Sequence, residues 1–314
     1  MGSKAKILRA LLTAAIVGIV GHAEAQTKLR LGILPFSESL GAVLADKQGY
    51  FNAEGIEVTM TKFVGGPLML PVLQAGKLDI AFTNTISTLQ ALEQGMDATI
   101  LAPGAKARSH SPDATSAMLV LNGAIQTVRD LEGKRIAINV IKSTAWMYVI
   151  ALLERNGVDR NKVHFLEVPF PQMNDALLNN QVDAIFQVEP FRTVILDTGK
   201  VKALAYPYVD VQPNADITQY IALTSWVDKN KDVAKGFAQA VIKGAQYANT
   251  HESETRDVNQ QFTNLSPQYK DRVTLPILGS SVDIAQLRTT MELMLKYGLL
   301  KRPVDLNGRV LAAQ

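Results

Sequence analysis

The sequence of 314 residues contains no cysteine and only four histidines. Without cysteine the fold has no disulfide bonds, and attachment of a lipid to an N-terminal cysteine is excluded. His110, His164 and His251 are far apart in the sequence, and none has acidic companions at the spacing of metal ligands. We therefore expect no metal site.

Catalytic and nucleotide-binding motifs are missing as well. The chain has no G-x-S-x-G, H-E-x-x-H, G-x-x-x-x-G-K or G-x-G-x-x-G pattern. The acidic pairs Asp130/Glu132 and Glu252/Glu254 fit solvated loops or helix starts. We predict no catalytic residue, no cofactor and no enzymatic activity.

The excess of one sign of charge is small too, because the net charge is only +3. A nearly neutral chain without Lys/Arg clusters is a poor nucleic-acid binder. No segment after residue 25 is long and apolar enough to span a bilayer. These features predict a globular chain that is large enough for two domains.

The N-terminus has the three parts of a signal peptide in order. Lys4, Lys6 and Arg9 precede the apolar segment 10–21, and Ala23-Glu24-Ala25 forms an A-x-A cleavage site. The alternatives are a buried first helix or a membrane anchor. We predict export and cleavage after residue 25, which leaves a net charge of +1.

Strand and helix patterns alternate along the rest of the chain. Four strand-like segments separated by helical ones run from "KLRLGIL" to "ATILAPG", and the pattern restarts at "KRIAINV". The order β-α-β-α indicates mainly parallel sheets covered by helices. "GKLDIAF" in the first half is echoed by "NQVDAIF" in the second. The chain is thus predicted to be an α/β protein with two similar lobes and a helical C-terminal tail.

Two segments rich in Pro, Ser, Asp and Asn, residues 103–115 and 206–218, are predicted to carry the chain between the lobes. This division gives a first lobe of residues 26–114 plus 222–314 and a second lobe of residues 115–221.

The loops after the strands are the expected site, because open parallel sheets bind ligands at the carboxyl ends of their strands. A helix start also has unpaired N–H groups and a partial positive charge, which favours an anion. The candidate hydrogen-bonding residues are Ser37, Ser39, Asn84, Thr85, Ser143 and Thr144. The candidate apolar walls are Phe36, Trp146, Phe170 and Phe191.

Several of these residues have a second interpretation. Ser143 or Thr144 is equally well an ordinary helix cap, and Trp146 also begins an apolar helix face. Gly66 suits a tight turn as well as a close backbone approach to a ligand. Glu189 is either an acceptor for a ligand amine or the partner of a residue across the cleft.

Five segments taken together resemble a known family. They are "ADKQGYFNAEGIEV", "VLQAGKLDIAFTN", "VRDLEGKRIAI" followed by "STAWMYVIALLERNGV", "NNQVDAIFQVEPF" and "MELMLKYGLLKRPVDL". They occur in the order seen in periplasmic solute-binding proteins of ABC importers for aliphatic sulfonates, taurine, nitrate and thiamine-precursor pyrimidines. The resemblance implies a type II periplasmic binding protein fold that closes on its ligand.

The resemblance also implies particular ligand contacts. They fall on Ser37, Glu38, Ser39, Thr83, Asn84, Ser143, Thr144, Gln187, Glu189 and Pro190. "QVEPF" lacks the aromatic residue that often precedes the glutamate of this loop, a difference that concerns the ligand and not the fold.

The function that follows is capture of a small organic anion, a sulfonate or a carboxylate, for a membrane permease and its ATPase. The protein is expected to be a periplasmic monomer. One alternative is the same trap for a neutral or cationic heterocycle, such as a thiamine-precursor pyrimidine. A secreted enzyme on the same fold is the other. A related pyrimidine-synthesising enzyme resembles this family, but its chemistry looks to depend on a Cys-rich motif that this chain lacks.

Overall fold

A computed structural model describes residues 26–123 and 125–311. The predicted signal peptide lies outside the described residues. Within them, no helix has the length and apolarity needed to cross a membrane.

Twelve strands are present among the described residues. In chain order, β1 to β12 are Thr27–Ile33, Ile56–Lys62, Ile80–Asn84, Ala98–Pro103, Ala105–Lys106, Ser116–Leu121, Arg135–Ile138, His164–Glu167, Ala184–Val188, Val201–Ala205, Thr218–Leu223 and Ile277–Leu278.

Helices alternate with these strands and then dominate the C-terminal part. In chain order, α1 to α12 are Leu40–Lys47, Tyr50–Ala53, Met69–Gln74, Thr85–Glu93, Thr144–Arg155, Phe170–Leu178, Phe191–Leu196, Pro207–Val211, Thr224–Lys229, Lys231–Thr250, Glu252–Thr263 and Ile284–Lys296.

Ten of these strands form two five-stranded sheets, one in each lobe, and β5 and β12 form a separate antiparallel pair. The strand orders of the two sheets are β2-β1-β3-β11-β4 and β10-β6-β9-β7-β8. In the first sheet β1 is parallel to β2 and β3, whereas β11 is antiparallel to β3 and β4. In the second, β7 is parallel to β8 and β9, whereas β6 is antiparallel to β9 and β10. The predicted α/β fold of two lobes is confirmed, with mixed sheets.

The sequence echo corresponds to one ion pair in each lobe. Arg30 of β1 binds Asp79 just before β3, with Nη2 2.6 Å from Oδ1. Arg135 of β7 binds Asp183 just before β9, with the same two atoms 2.9 Å apart. In both, the backbone N–H of the arginine also donates to Oδ2 of the aspartate. Each aspartate thereby joins two neighbouring parallel strands at their amino ends.

One hydrophobic core runs from lobe to lobe beneath the site. Met69 and Ile86 of the first lobe belong to the same buried cluster as Val149 and Leu152 of the second. Helix α12 contributes Met291 and contacts both α4 and α5. The tail therefore does more than pack on the first lobe, because its last helix lies between the two.

The lobe boundaries given above stay a prediction. The strand pairing adds one fact to them, which is that Thr218–Leu223 belongs to the first sheet.

Candidate functional site

The carboxyl ends of β1 and β3 and the amino end of antiparallel β11 meet at one edge of the first sheet. Thr83 of β3 pairs directly with Gln219 of β11. Directly paired residues project their side chains from the same face of a sheet, with Cβ atoms about 5 Å apart. A short 3-10 turn, Ser37–Ser39, follows β1 at this edge, and a second, Gly66–Leu68, follows β2.

Four polar side chains at this edge have buried atoms without a protein partner, and we call them the polar cluster: Ser37, Glu38, Thr83 and Gln219. Among the described residues, no hydrogen-bond partner exists for Ser37 Oγ, Glu38 Oε2, Thr83 Oγ1, Gln219 Nε2 or Gln219 Oε1. Ser37 and Thr83 are 0% exposed and Gln219 is 1% exposed. Leaving a buried polar atom unpaired costs about 1–3 kcal/mol. This group of unpaired atoms indicates a binding site for a polar ligand.

Gly66 lies directly against this cluster. A Cβ atom added at Gly66 would be 2.5 Å from Thr83 Oγ1, which is closer than atoms pack. The missing side chain therefore lets the turn after β2 rest on Thr83. This contact explains a glycine at this position without requiring that it touch a ligand.

Glu38 is the charged member of the polar cluster. Burial raises its pKa to about 7, with smaller contributions from the negative charges of Glu189 and Asp113 and an opposing one from Arg192. Burial raises the pKa of Tyr208, and the negative charge of Glu38 raises it further. Since Glu189, Arg192 and Tyr208 follow β9 and β10, the Glu38 carboxyl is electrostatically coupled to the second lobe.

Two contacts join the lobes beside the polar cluster. Thr144 Oγ1, at the start of α5, donates to Asn84 Oδ1 over 3.1 Å. The rings of Phe36 and Phe170 meet edge to face, with centroids 6.2 Å apart. Among the predicted residues, Thr144 thus contacts Asn84, and Phe170 contacts Phe36, across the space between the lobes.

Other predicted site residues have hydrogen bonds within the protein. Ser39 Oγ donates to the Leu34 carbonyl over 2.8 Å, and Thr85 Oγ1 donates to the Asp216 carbonyl over 2.5 Å. Ser143 Oγ accepts from the N–H of Trp146, so it is the cap of α5. Ligand contact by these residues stays a prediction, and the observed bonds already explain their presence.

Gln187 and Trp146 pack inside the second lobe. Gln187 is 0% exposed, and its Nε2 donates to Asn174 Oδ1 and to the Phe170 carbonyl. The ring of Trp146 lies edge-on to Phe165 of β8, with centroids 6.3 Å apart. Trp146 is half-buried and packs against the core, which agrees with its second interpretation, and its contact with a ligand stays a prediction.

Glu189 is engaged by neighbours on both oxygens. Its Oε1 is 2.8 Å from Arg192 Nη2 and accepts from the Thr193 hydroxyl, and its Oε2 accepts from the Thr193 N–H. Burial raises the pKa of Glu189 while Arg192 opposes the rise. Arg192 also donates to the carbonyls of Asp113, Ala114 and Ser116. Removal of the Glu189 charge would consequently disturb the crossing between the lobes. A change of ligand binding in such a variant would therefore not show that Glu189 contacts the ligand.

Sequence reasoning missed Gln219. The alternation in "DITQYIAL" holds the signal, because Thr218, Tyr220 and Ala222 face one side of the strand while Gln219 and Ile221 face the other. A glutamine on a fully buried strand face is uncommon without a partner. The sheet to which this strand belongs and its neighbours could not be predicted from the local pattern.

The sequence profile described as "NMT1/THI5 like" matches residues 37–255 of the chain. The chain belongs to the NMT1/THI5-like family. This match confirms the resemblance deduced from the five segments, and it includes the polar cluster, α5 and the loop of Glu189.

Two proteins that are similar to this NMT1/THI5-like chain are named for sulfonate binding. The chain is 23% identical over 292 residues to the putative aliphatic sulfonates-binding protein of Escherichia coli, covering 87% of this chain and 85% of that one. The alkanesulfonate-binding protein SsuA of Xanthomonas axonopodis, solved with MOPS, matches with a TM-score of 0.75 at 19% identity over 93% of this chain and 100% of that one.

A third relative has another printed ligand. The periplasmic nitrate-binding protein NrtA of Synechocystis matches with a TM-score of 0.73 at 15% identity, covering 88% of this chain and 83% of that one. At these identities the solved structures establish the periplasmic binding protein fold. They do not determine the ligand of this chain.

Proposed function

We propose that this protein is the solute-binding component of an ABC importer and holds a small polar organic molecule between its two lobes. The polar cluster carries this proposal, because five buried polar atoms at one sheet edge have no partner among the described residues. Closure of the second lobe over this edge would exclude water and leave the solute to satisfy those atoms.

The relatives support the importer role. Those reported above are named as binding proteins for sulfonates or nitrate. By analogy the partners are a membrane permease and its ATPase, and the place of action is the periplasm after removal of the signal peptide. A monomer is enough for this role, because each chain has both lobes.

The charge of the solute is the finer part of the proposal. A sulfonate or carboxylate finds donors in the Ser37 and Thr83 hydroxyls and in the Gln219 amide. These donors, and the names of the relatives, support the predicted anion. Glu38 argues against an anion, since a buried carboxylate beside Glu189 and Asp113 repels a second negative charge.

A solute with a neutral or cationic nitrogen facing Glu38 fits the polar cluster better than a simple anion. This second candidate includes the heterocycles expected from the resemblance, and also molecules that combine an amine with an acidic group. A secreted enzyme is the third hypothesis. Turnover of any bound compound by the purified protein would support it.

Calorimetric titration tests the proposal. The purified protein is titrated with alkanesulfonates, carboxylates, amino-substituted sulfonates and aminopyrimidines. We expect at least one class to bind at micromolar concentration or below, and Thr83→Val to weaken that binding about tenfold. Absence of binding to every class, in protein that carries no solute from purification, would contradict the proposal.

A further inference from the structure

The polar cluster has a defined hydrogen-bond chemistry. The Gln219 amide presents N–H donors at Nε2 and an acceptor at Oε1, and both atoms are buried without a partner among the described residues. The ionised Glu38 carboxylate presents a second acceptor at Oε2. The hydroxyls of Ser37 and Thr83 rotate, so each can donate or accept.

The two acceptors discriminate between classes of solute. A sulfonate or carboxylate without other polar groups offers only acceptor atoms. It can take hydrogen bonds from Gln219 Nε2 and from the two hydroxyls. It leaves Gln219 Oε1 unpaired and enclosed, and Glu38 Oε2 as well while this carboxyl is ionised, above its pKa of about 7. Each such atom weakens binding roughly tenfold to a hundredfold.

We infer that the solute carries at least two N–H or O–H donors together with an acceptor group, and that Gln219 selects it. The amine- or amide-bearing solutes meet this requirement, whereas simple sulfonates, simple carboxylates and nitrate do not. This inference rests on the proposed function and adds the chemical class of the solute to it.

The geometry of the cluster supports a directed contact by Gln219. Its backbone is fixed on two sides, by pairing with Thr83 on β3 and with Pro103 on β4. Gly66 closes the space beside Thr83. The amide is therefore held at a defined place in the sheet edge, with the Thr83 hydroxyl on the neighbouring strand.

The electrostatics support a donor facing Glu38. Glu189 and Asp113 add negative potential at this carboxyl, and Arg192, the cation that opposes them, is already bonded to Glu189 and three carbonyls. A nitrogen-bound hydrogen or a positive charge on the solute would relieve this potential.

The first experiment identifies what the protein carries. The full chain is expressed with export, purified without denaturation, and its solute is released by acid. High-resolution mass spectrometry in H2O and D2O then counts the exchangeable hydrogens of the released compound. We expect at least two besides the acidic hydrogens of carboxyl or sulfonate groups. A tightly held solute without exchangeable hydrogens would overturn the inference and leave the proposed function intact.

The second experiment compares matched probes at pH 8, where Glu38 is ionised. Each pair consists of an alkanesulfonate and the aminoalkanesulfonate of the same length, or of a pyrimidine and its amino derivative. We expect the donor-bearing member to bind at least tenfold more tightly. Equal affinity within the pairs would contradict the inference.

The variant Gln219→Leu separates recognition from structure. Because it replaces an unpaired buried amide with an apolar side chain, we expect the unliganded protein to keep or raise its thermal midpoint. Affinity for the donor-bearing probe should fall about tenfold or more, and the preference within each pair should shrink. The control is Gln94→Leu at the exposed end of α4, which should change neither affinity nor preference.

Three outcomes of this set are informative. Loss of affinity with retained stability supports recognition by Gln219. A Gln219→Leu variant that binds like the original protein overturns it. If no solute is carried and no probe binds, the proposed function fails together with the inference.

Discussion

At the scale of single residues, hydrogen bonds within the protein decide which buried polar groups are free for a solute. Serines 37, 39 and 143 all lie beside the predicted site, but Ser39 and Ser143 have protein partners while Ser37 Oγ has none among the described residues. The same contrast separates Glu38 from Glu189. Residue type alone therefore predicts too many ligand-binding residues. The hydrogen-bond capacity that each side chain has left reduces their number.

Glu38→Gln tests the unusual state of this carboxyl through stability. The pKa of Glu38 rises from 4.5 to about 7 on folding. Between these values the folded protein keeps a proton that the unfolded chain releases, so the stabilising contribution present below pH 4.5 is lost as pH rises through 7. The loss is on the order of 3 kcal/mol.

The measurement is chemical denaturation of the unliganded protein at several pH values. Compared with the original chain, Glu38→Gln should become relatively more stable as pH increases from 5 to 8. Glu57→Gln on exposed β2 is the matched control and should run parallel to the original chain. Identical curves for Glu38→Gln and the original chain would show that the carboxyl is not held in this state.

At the scale of elements, the two lobes use the same device to join their parallel strands. Asp79 and Asp183 each bind an arginine of the neighbouring parallel strand, β1 or β7, through both the side chain and the backbone N–H. The repeated "L/V-D" position in the sequence echo is explained by this bond. It organises the sheet edge opposite the site and has no direct part in binding.

Asp183→Asn and Asp79→Asn should therefore behave alike. Each removes one charge from a two-point contact between neighbouring strands, and we expect the thermal midpoint to fall by a few degrees while solute affinity stays the same. Arg135 holds the pKa of Asp183 below its ordinary value, so this stabilisation is present near neutrality and lost as the carboxyl is protonated in acid.

Thermal unfolding at pH 7 and at pH 3 checks this expectation. The difference between Asp183→Asn and the original chain should shrink at the lower pH. A large loss of solute affinity without loss of stability would contradict a purely structural role for these pairs.

The elements that sequence patterns predicted well are those with strong local signals. Helix α5 has a Ser143 cap and an apolar face that includes Val149, Ile150 and Leu153, and it forms where predicted. Strand β6, Ser116–Leu121, was missing from the prediction because it directly follows a segment that was assigned to a crossing. Local sequence patterns do not identify the partners of a strand. The position of antiparallel β11 between β3 and β4 could therefore not be predicted.

The site could not be fully predicted for the same reason. The cluster of Thr83 and Gln219 exists only because residues 136 positions apart in sequence pair in one sheet. The partner of Glu189, by contrast, is Arg192, three residues away in "EPFR" and named by neither interpretation of Glu189 in the sequence. The sequence shows such a neighbour directly, whereas a long-range polar cluster requires the topology.

At the scale of the whole molecule, the lobes share both a buried core and contacts at the surface. A separate open pocket of about 360 Å³ is lined from both lobes by Arg108, Asp113, Glu189, Arg192 and Arg272 among others. Glu189 lines this pocket and also acts on the Glu38 carboxyl. Arg272 of the first lobe pairs here with Asp197, which follows α7 in the second lobe.

Breaking this pair should shift the balance between lobe arrangements. In Arg272→Gln, we expect roughly two- to fivefold weaker solute binding and almost no change in thermal midpoint, because exposed ion pairs contribute about 0–1 kcal/mol. Lys162→Gln removes a comparable ion pair, with Glu132, inside the second lobe and should leave affinity unchanged. Calorimetric titration of both variants checks the contrast. An equal effect of the two would argue against a role for the position of the pair.

The distance between the lobes in solution tests the account most directly. Because the chain has no cysteine, Val64→Cys and Val140→Cys place two fluorescent labels at exposed positions, one after β2 and one after β7. Single-molecule energy transfer should show a longer and a shorter distance, and a solute identified by calorimetry should drive the population to the shorter one. A single distance that such a solute leaves unchanged would contradict a trap that closes on its ligand.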